Sequence, residues 1–257
     1  MSILVFGGTT EGKQVAKYLD ELNIQYFYST KTKVPFLGKG IPIHGELTTK
    51  KIDEFCHKEK ISCIINASHP FAEQLHQTVL AIQTQIPLIR FERSFTEKVQ
   101  HPLVHYVNSF EEAISLFEEK KFKSLLALSG VQTIIKLKPY WENHLTWFRI
   151  LDRDSSREIA RKSGFPSDKL LYGYPQDEEE EIHLFKNLEP SVVLTKESGI
   201  NGKLDQKIAA ALAVKIPIVV LSKPELSERY ILINSLDELT GLLRSFSLKE
   251  QPSVFKL

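Results

Sequence analysis

Short apolar runs alternate with amphipathic stretches from one end of the chain to the other. Ile3–Phe6 reads as a buried strand, and Thr10–Leu22 comes next with Val15, Ala16, Leu19 and Leu22 at helical spacing. The pattern predicts further strands at Gln25–Ser29, Ile41–His44, Cys63–Asn66, Leu88–Arg90 and Val104–Val107, with helices at Lys50–His57 and Ala72–Gln83 between them. The second half repeats the rhythm. Strands are expected at Leu125–Leu128, Leu145–Arg149, Val192–Thr195, Ile216–Leu221 and Tyr230–Ile233. Helices are expected at Ser155–Lys162, Asp177–Leu188, Lys203–Val214 and Leu236–Phe246. Regular strand–helix alternation predicts α/β architecture with mainly parallel sheets covered on both faces.

An internal echo suggests two halves. Ile86-Pro87-Leu88-Ile89 leads to Val107-Asn108-Ser109-Phe110-Glu111-Glu112, and Ile216-Pro217-Ile218-Val219 leads to Ile233-Asn234-Ser235-Leu236-Asp237-Glu238. In both copies a serine three residues before a glutamate fits a helix capping box. The expectation is two tandem Rossmann-like domains, 1–121 and 122–257, with a ligand crevice between them. The acidic run Asp177–Glu181 is read as a solvated first helical turn, favoured there by the helix dipole. The tail Lys249–Leu257 carries no pattern and is expected to be loose.

Composition narrows the function. The 257 residues carry 33 Lys+Arg against 32 Asp+Glu, a formal net charge of +1, so the basic excess of a nucleic-acid binder is missing. An anionic ligand must be met by locally placed cations. Cys56 and Cys63 form neither a disulfide framework nor a zinc signature, and no metal site is expected. Their reduced state fits a cytoplasmic protein. The start MSILVFGG is no signal peptide, and no apolar stretch reaches the roughly 18 residues of a membrane span. Nothing marks a dimer helix, so a monomer is the default.

Several strand ends carry candidate chemistry. Gly7-Gly8-Thr9-Thr10-Glu11-Gly12 joins the first strand to the first helix. A glycine turn there lets backbone approach a phosphate at a helix N-terminus; Gly7 and Gly12 match the dinucleotide fingerprint and Thr9 departs from it. A tight turn with no ligand is the alternative. About twenty residues on, where NAD-binding folds place an acid, stand Ser29, Thr30 and Lys31. Hydroxyls and an ammonium suit the 2′-phosphate of NADPH, against an ordinary polar loop.

Asn66-Ala67-Ser68-His69-Pro70-Phe71-Ala72 comes after another strand. Ala67 and Ser68 are assigned to the cofactor, and His69 to proton donation or a substrate carboxylate. Helix capping by His69 is the alternative, with Pro70 and Phe71 opening that helix. Arg90 and Arg93 share a face and suit a polyanion, unless Glu92 pairs with one of them. In the second half Ser129 and Gly130 mirror the glycine turn, and Arg149, Thr195, Lys196 and Ser198 add cations and hydroxyls at strand ends.

Taken together, ILVFGGTTEG (Ile3–Gly12), NASHPFA (Asn66–Ala72), PLIRFER (Pro87–Arg93), and VLTKESG (Val193–Gly199) with Lys207-Ile208-Ala209-Ala210-Ala211 after it resemble the precorrin-6A reductase family of cobalamin biosynthesis. Asn66 and Ser68 depart from the family's Asp-Ala-Thr-His-Pro-Phe-Ala, and Val131 stands where the family has an arginine. The resemblance implies NADPH-dependent, two-electron reduction of precorrin-6A or its cobalt form to the 6B level. The partner is then a polycarboxylated tetrapyrrole, its arms met by His69, Arg90, Arg93, Arg149 and Lys196, with His69 or Lys196 as catalytic candidates. Another NADP-dependent oxidoreductase with a small substrate would want a Tyr-x-x-x-Lys relay, and Tyr140, Tyr172 and Tyr174 lack it. A non-catalytic NADP sensor leaves the cationic strand ends of the second half unexplained.

Overall fold

A computed structural model describes residues 1–92, 97–198 and 202–249. Twelve strands among them form two six-stranded sheets, all parallel. The first sheet takes β1 (Ser2–Phe6), β2 (Gln25–Thr30), β3 (Ile41–His44), β4 (Ile61–Asn66), β5 (Leu88–Phe91) and β12 (Tyr230–Ile233), in the order β12-β5-β4-β1-β2-β3. The second takes β6 (Val104–Val107), β7 (Ser124–Ala127), β8 (Leu145–Ile150), β9 (Leu170–Tyr172), β10 (Val192–Lys196) and β11 (Ile218–Leu221), in the order β6-β11-β10-β7-β8-β9. Each sheet is a Rossmann-type 3-2-1-4-5-6 arrangement. Their central strands are apolar almost throughout because helices cover both faces: all five residues of β1 are buried, and so are Val192–Thr195 of β10.

The helices are α1 (Thr10–Glu21), α2 (Thr49–Lys58), α3 (Glu73–Leu80), α4 (Phe110–Glu119), α5 (Lys138–Trp141), α6 (Asp154–Lys162), α7 (Glu178–Leu188), α8 (Leu204–Ala213) and α9 (Leu236–Lys249). Val15, Ala16 and Leu19 of α1 pack on one face of the first sheet with Leu239 and Leu243 of α9. Ile52 and Cys56 of α2 and Val79 of α3 pack on the other. Ser109 and Ser235 accept from the amides of Glu112 and Glu238 at 3.0 and 3.2 Å, and the two glutamates reach back to the amides of Asn108 and Asn234. The full capping box forms at Asp177 and Glu180. No described helix is long and apolar enough to cross a membrane.

The echo in the sequence is real, but the contiguous division at 121/122 does not describe the folding units. These are Met1–Ser94 with Pro224–Leu257, and Phe95–Lys223. The sixth strands are exchanged: β6 comes after β5 in the chain yet pairs with β11, Ile218 opposite Val104, and β12 comes after β11 yet pairs with β5, Leu88 opposite Tyr230. Each exchanged strand carries its capped helix with it, α4 onto β6 and β11, and α9 into the core of the first unit. Local pattern identifies a strand and its cap, whereas which sheet receives it is a tertiary choice. Two further differences are local. Pro70 and Phe71 lie in a turn, and α3 begins at Glu73. The three-residue edge strand β9 and the four-residue α5 are too short to show a periodicity. The C-terminal tail beyond Lys249 lies outside the described residues.

Candidate functional site

The first unit gathers its polar strand ends at the carboxyl edge of the sheet. Phe6 of β1 sits opposite Ser29 of β2 and Asn66 of β4, and Asn66 sits opposite Arg90 of β5, so these ends lie side by side. The turn Gly7–Thr9 is built on Tyr28. A Cβ at Gly7 would lie 2.2 Å from the tyrosine ring, and one at Gly12 would lie 2.7 Å from the Gly7 Cα, so both positions require glycine. Gly8 adopts φ +90°, and an added Cβ would meet only a Thr30 methyl carbon, at 3.8 Å. The Gly8 amide donates to Tyr28 Oη at 3.0 Å, which ties that N–H to the scaffold and leaves the approach of a ligand to the rest of the turn. Thr9 caps α1, accepting from the Gly12 amide at 2.9 Å, and donates to the buried Ala67 carbonyl at 2.6 Å. Thr10 and Glu11 form the first turn of the helix. This open glycine turn, at the N-terminus of a twelve-residue helix, fits the diphosphate of a dinucleotide.

The end of β2 is mixed in character. Ser29 and Thr30 are buried, and Thr30 Oγ1 donates to the Thr32 carbonyl at 2.9 Å. Lys31 is exposed and ion-paired with Glu46, whose carboxyl is held below its usual range by that contact.

Behind the 66–72 segment lies a buried polar network of which the sequence offered only the Arg–Glu pair. Arg90 has no exposed surface. Its Nε and Nη2 donate to Glu92 at 2.9 and 2.8 Å, and its Nη1 donates to the Asn66 carbonyl and Oδ1 at 3.0 and 3.1 Å. Asn66 Nδ2 donates to Tyr230 Oη at 3.0 Å, and Ser68 Oγ donates to Asn66 Oδ1 at 2.6 Å and lies 3.3 Å from His76 Nε2. Burial, with the Arg90 charge beside it, pushes His76 down to about 4, so the imidazole is neutral at ordinary pH. Of the two readings of Arg90, the structure shows the pair with Glu92, buried and shared with Asn66, rather than presentation to a substrate. Ser68, expected at the cofactor, is instead buried among network partners. The X-Arg-X-Glu spacing on an extended chain was the available signal for the pair. Arg93 lies outside the described residues. His69 is exposed, and its Nδ1 accepts from the Phe71 amide at 3.1 Å. In the neutral ring that contact puts the proton on Nε2.

The second unit presents a different edge. Ser129 is buried and 2.7 Å from Thr133 Oγ1, and Gly130 adopts φ +87° ahead of a single 3-10 turn, Val131–Thr133. Arg149 is not a free cation. Its guanidinium donates to both oxygens of Glu181 at 2.9 and 2.6 Å and to Gln176 at 2.7 Å. Glu181 itself is fully buried, so the acidic run is solvated only in part. Lys207 is buried within electrostatic reach of both Arg149 and Glu181. Its Nζ donates to the Gly202 carbonyl at 2.7 Å and to Thr195 Oγ1 at 3.4 Å, and burial, with Arg149 nearby, lowers its pKa to about 8. Thr195 is therefore buried beneath the edge, while Lys196 and Ser198 are half-buried at it.

Comparison with known proteins agrees with this frame. The family model for precorrin-6x reductase CbiJ/CobK matches residues 2–244. A cobalt-precorrin-6A reductase of Synechocystis is 30% identical over 246 residues, spanning 87% of this chain and 89% of the relative. One of Priestia megaterium is 30% identical over 189 residues, spanning 71% and 73%. A solved CobK precorrin-6A reductase superposes with a TM-score of 0.78 at 20% identity, covering 96% of this chain and 97% of that one, and shares the fold. With a family match across both exchanged sheets and 30% identity to relatives along most of their length, the chain belongs to the precorrin-6x reductase family of cobalamin biosynthesis.

Proposed function

We propose that this protein uses NADPH to reduce cobalt-precorrin-6A, or its metal-free form, by two electrons to the 6B level in the cytoplasm. The observation that carries the cofactor reading is the open glycine turn at Gly8, between β1 and the N-terminus of α1. The residues that would hold the nucleotide are Gly7, Gly8, Thr9, Thr10, Glu11 and Gly12 at the diphosphate, with Lys31 toward a 2′-phosphate and the buried Ser29 and Thr30 shaping the strand end beneath it. A bound reduced nicotinamide supplies a hydride to a macrocycle carbon, and a proton delivered to the neighbouring atom completes the reduction.

The chain's own work is then orientation, charge matching and the proton. Thr9, fixed by Ala67 and Gly12, sets the entry of α1. The network of Arg90, Glu92, Asn66, Tyr230 and Ser68 sets the position of the 67–72 segment and so of His69. His69 offers an Nε2–H to a carboxylate arm or to the reacting atom. On the second unit, Lys196 at the end of β10 is the cation offered to a carboxylate, and Ser129 and Gly130 are its neutral counterparts at the end of β7. Support for the cobalt form comes from the relatives at 30% identity, both named for it.

The test is anaerobic turnover of the purified protein with NADPH or NADH and either form of the macrocycle. The expected result is NADPH consumption coupled to a two-mass-unit gain in the product. Cofactor binding with neither form reduced would overturn the substrate assignment. Lys31→Glu is expected to weaken NADPH far more than NADH, and equal losses would remove the 2′-phosphate assignment.

A further inference from the structure

The carboxyl ends of β2 and β3 are tied to each other in a way that sets the chemistry of a histidine. Thr30 and His44 are register partners on adjacent parallel strands, and the Gly45 amide donates to the Thr30 carbonyl at 3.1 Å. Thr30 Oγ1 donates its single proton to the Thr32 carbonyl at 2.9 Å. A carbonyl can only accept, so the 3.1 Å contact between Thr30 Oγ1 and His44 Nδ1 must run from a ring N–H to the hydroxyl oxygen. The proton is therefore on Nδ1. In the neutral ring Nε2 is then an acceptor, suited to a hydroxyl. Only the imidazolium presents an Nε2–H, and that form suits an anion.

The second observation is the ion pair beside it. Lys31, directly after Thr30, is paired with Glu46, two residues after His44, and both side chains are largely exposed. Gly45 between them adopts φ +110° with nothing within 4 Å of an added Cβ, so the turn leaves open space at this edge. The ionisable side chains of these two strand-end segments are Lys31, Lys33, His44 and Glu46. Lys39, further along, has its amide and its ammonium on Asp20. A carboxylate thus sits on the lysine at the place where the cofactor reading puts a phosphate.

We infer that His44 is a specificity-determining residue of the nucleotide site, meeting a 2′-phosphate as its imidazolium, and that Glu46 holds Lys31 until that phosphate displaces it. The inference rests on the cofactor reading above and adds two residues to it. Charge-assisted hydrogen bonds are the strong ones, and removal of one cation from a phosphate costs about tenfold in affinity. Glu46 acts in the opposite direction, because its release from Lys31 opposes phosphate binding.

The test is calorimetric titration of the whole protein with 2′,5′-ADP and with 5′-AMP, which differ only by the phosphate in question. His44→Asn keeps an amide donor near the Nδ1 position and removes the charge. It is expected to weaken 2′,5′-ADP about tenfold while 5′-AMP stays within about twofold. Glu46→Gln, a surface change that leaves the fold intact, is expected to strengthen 2′,5′-ADP about threefold and leave 5′-AMP unchanged. Equal losses on both probes in His44→Asn, or no effect of either variant against a wild type that prefers 2′,5′-ADP, would overturn the inference and leave the cofactor reading standing. A wild type that binds both probes equally would overturn the 2′-phosphate reading and this inference with it.

Discussion

The two units share a strand order and differ in the segment that leaves the corresponding inner strand, β1 in one and β7 in the other. In the first, β1 runs through Gly7 and Gly8 into a twelve-residue helix capped by Thr9. In the second, β7 runs through Ser129 and Gly130 into a single 3-10 turn and the four-residue α5. A long helix aligns its peptide dipoles at its N-terminus, whereas a single turn aligns almost none. The same strand order therefore ends on a long helix's N-terminus, with its partial positive charge, in one unit and on a single turn in the other. The units also bury charge differently. The first holds Arg90–Glu92 with a neutral histidine, and the second holds Arg149–Glu181 with a buried lysine. The fold supplies the edge, and the residues placed on it decide which ligand chemistry is possible.

The largest expected effect breaks the charge networks. Glu181→Ala leaves Arg149 and Lys207 buried without their counter-charge and should cost about 3–5 kcal/mol in urea unfolding. Glu92→Ala should cost a similar amount through Arg90, and a cost under about 1 kcal/mol in either variant would show that the pair is not structural.

Next comes pH, where the units should depart in opposite windows. His76 has a folded value of about 4 against an ordinary value of about 6.5, so the unfolded chain binds the extra proton. Stability should fall as pH drops from about 6.5 to 4, by roughly 3 kcal/mol in all, and His76→Gln should flatten that limb. Lys207 has a folded value of about 8 against about 10.5, so the same sign of linkage acts on the alkaline side. Stability should rise between pH 8 and 10.5, and Lys207→Met should remove the rise.

The glycine turns bring the contrast to single atoms. Gly7→Ala pushes a Cβ into Tyr28 and should cost about 1–3 kcal/mol together with 5′-AMP binding. Gly130→Ala meets open space at φ +87° and should cost only about 1 kcal/mol, with 5′-AMP binding unchanged. Smallest is Tyr28→Phe, which frees the Gly8 amide and should cost about 0.5–1.5 kcal/mol of thermal stability. A larger loss would mean that the hydroxyl organises the whole turn.

Much of this is legible in the chain itself. Eleven of the twelve described strands lie where the apolar pattern places them, each end within two residues, and only the short edge strand β9 escapes it. Gly7, Gly8 and Gly12 fall where a strand hands over to a helix, and the motif order carries the family. Arg90 and Arg149 look like ligands in the sequence because an arginine near a strand end reads the same whether it points to a substrate or to a glutamate. For Arg90 the partner is two residues away, but for Arg149 it comes from α7, 32 positions on. His76 and Tyr230 carry no signal, since a lone histidine and a strand tyrosine are ordinary in a core.

Periodicity, capping and motif order are local and survive in one dimension, so all but the shortest elements, the serine caps, the parallel α/β architecture and the family are written in the chain. Three features are not: that β6 and β12 change sheets, that Arg149 is held by a buried glutamate 32 positions on, and that His44 meets Thr30. These depend on how strands and helices come together across the folded molecule. Such contacts are selected by burial and hydrogen-bond satisfaction of the whole sheet edge, and no local pattern encodes them.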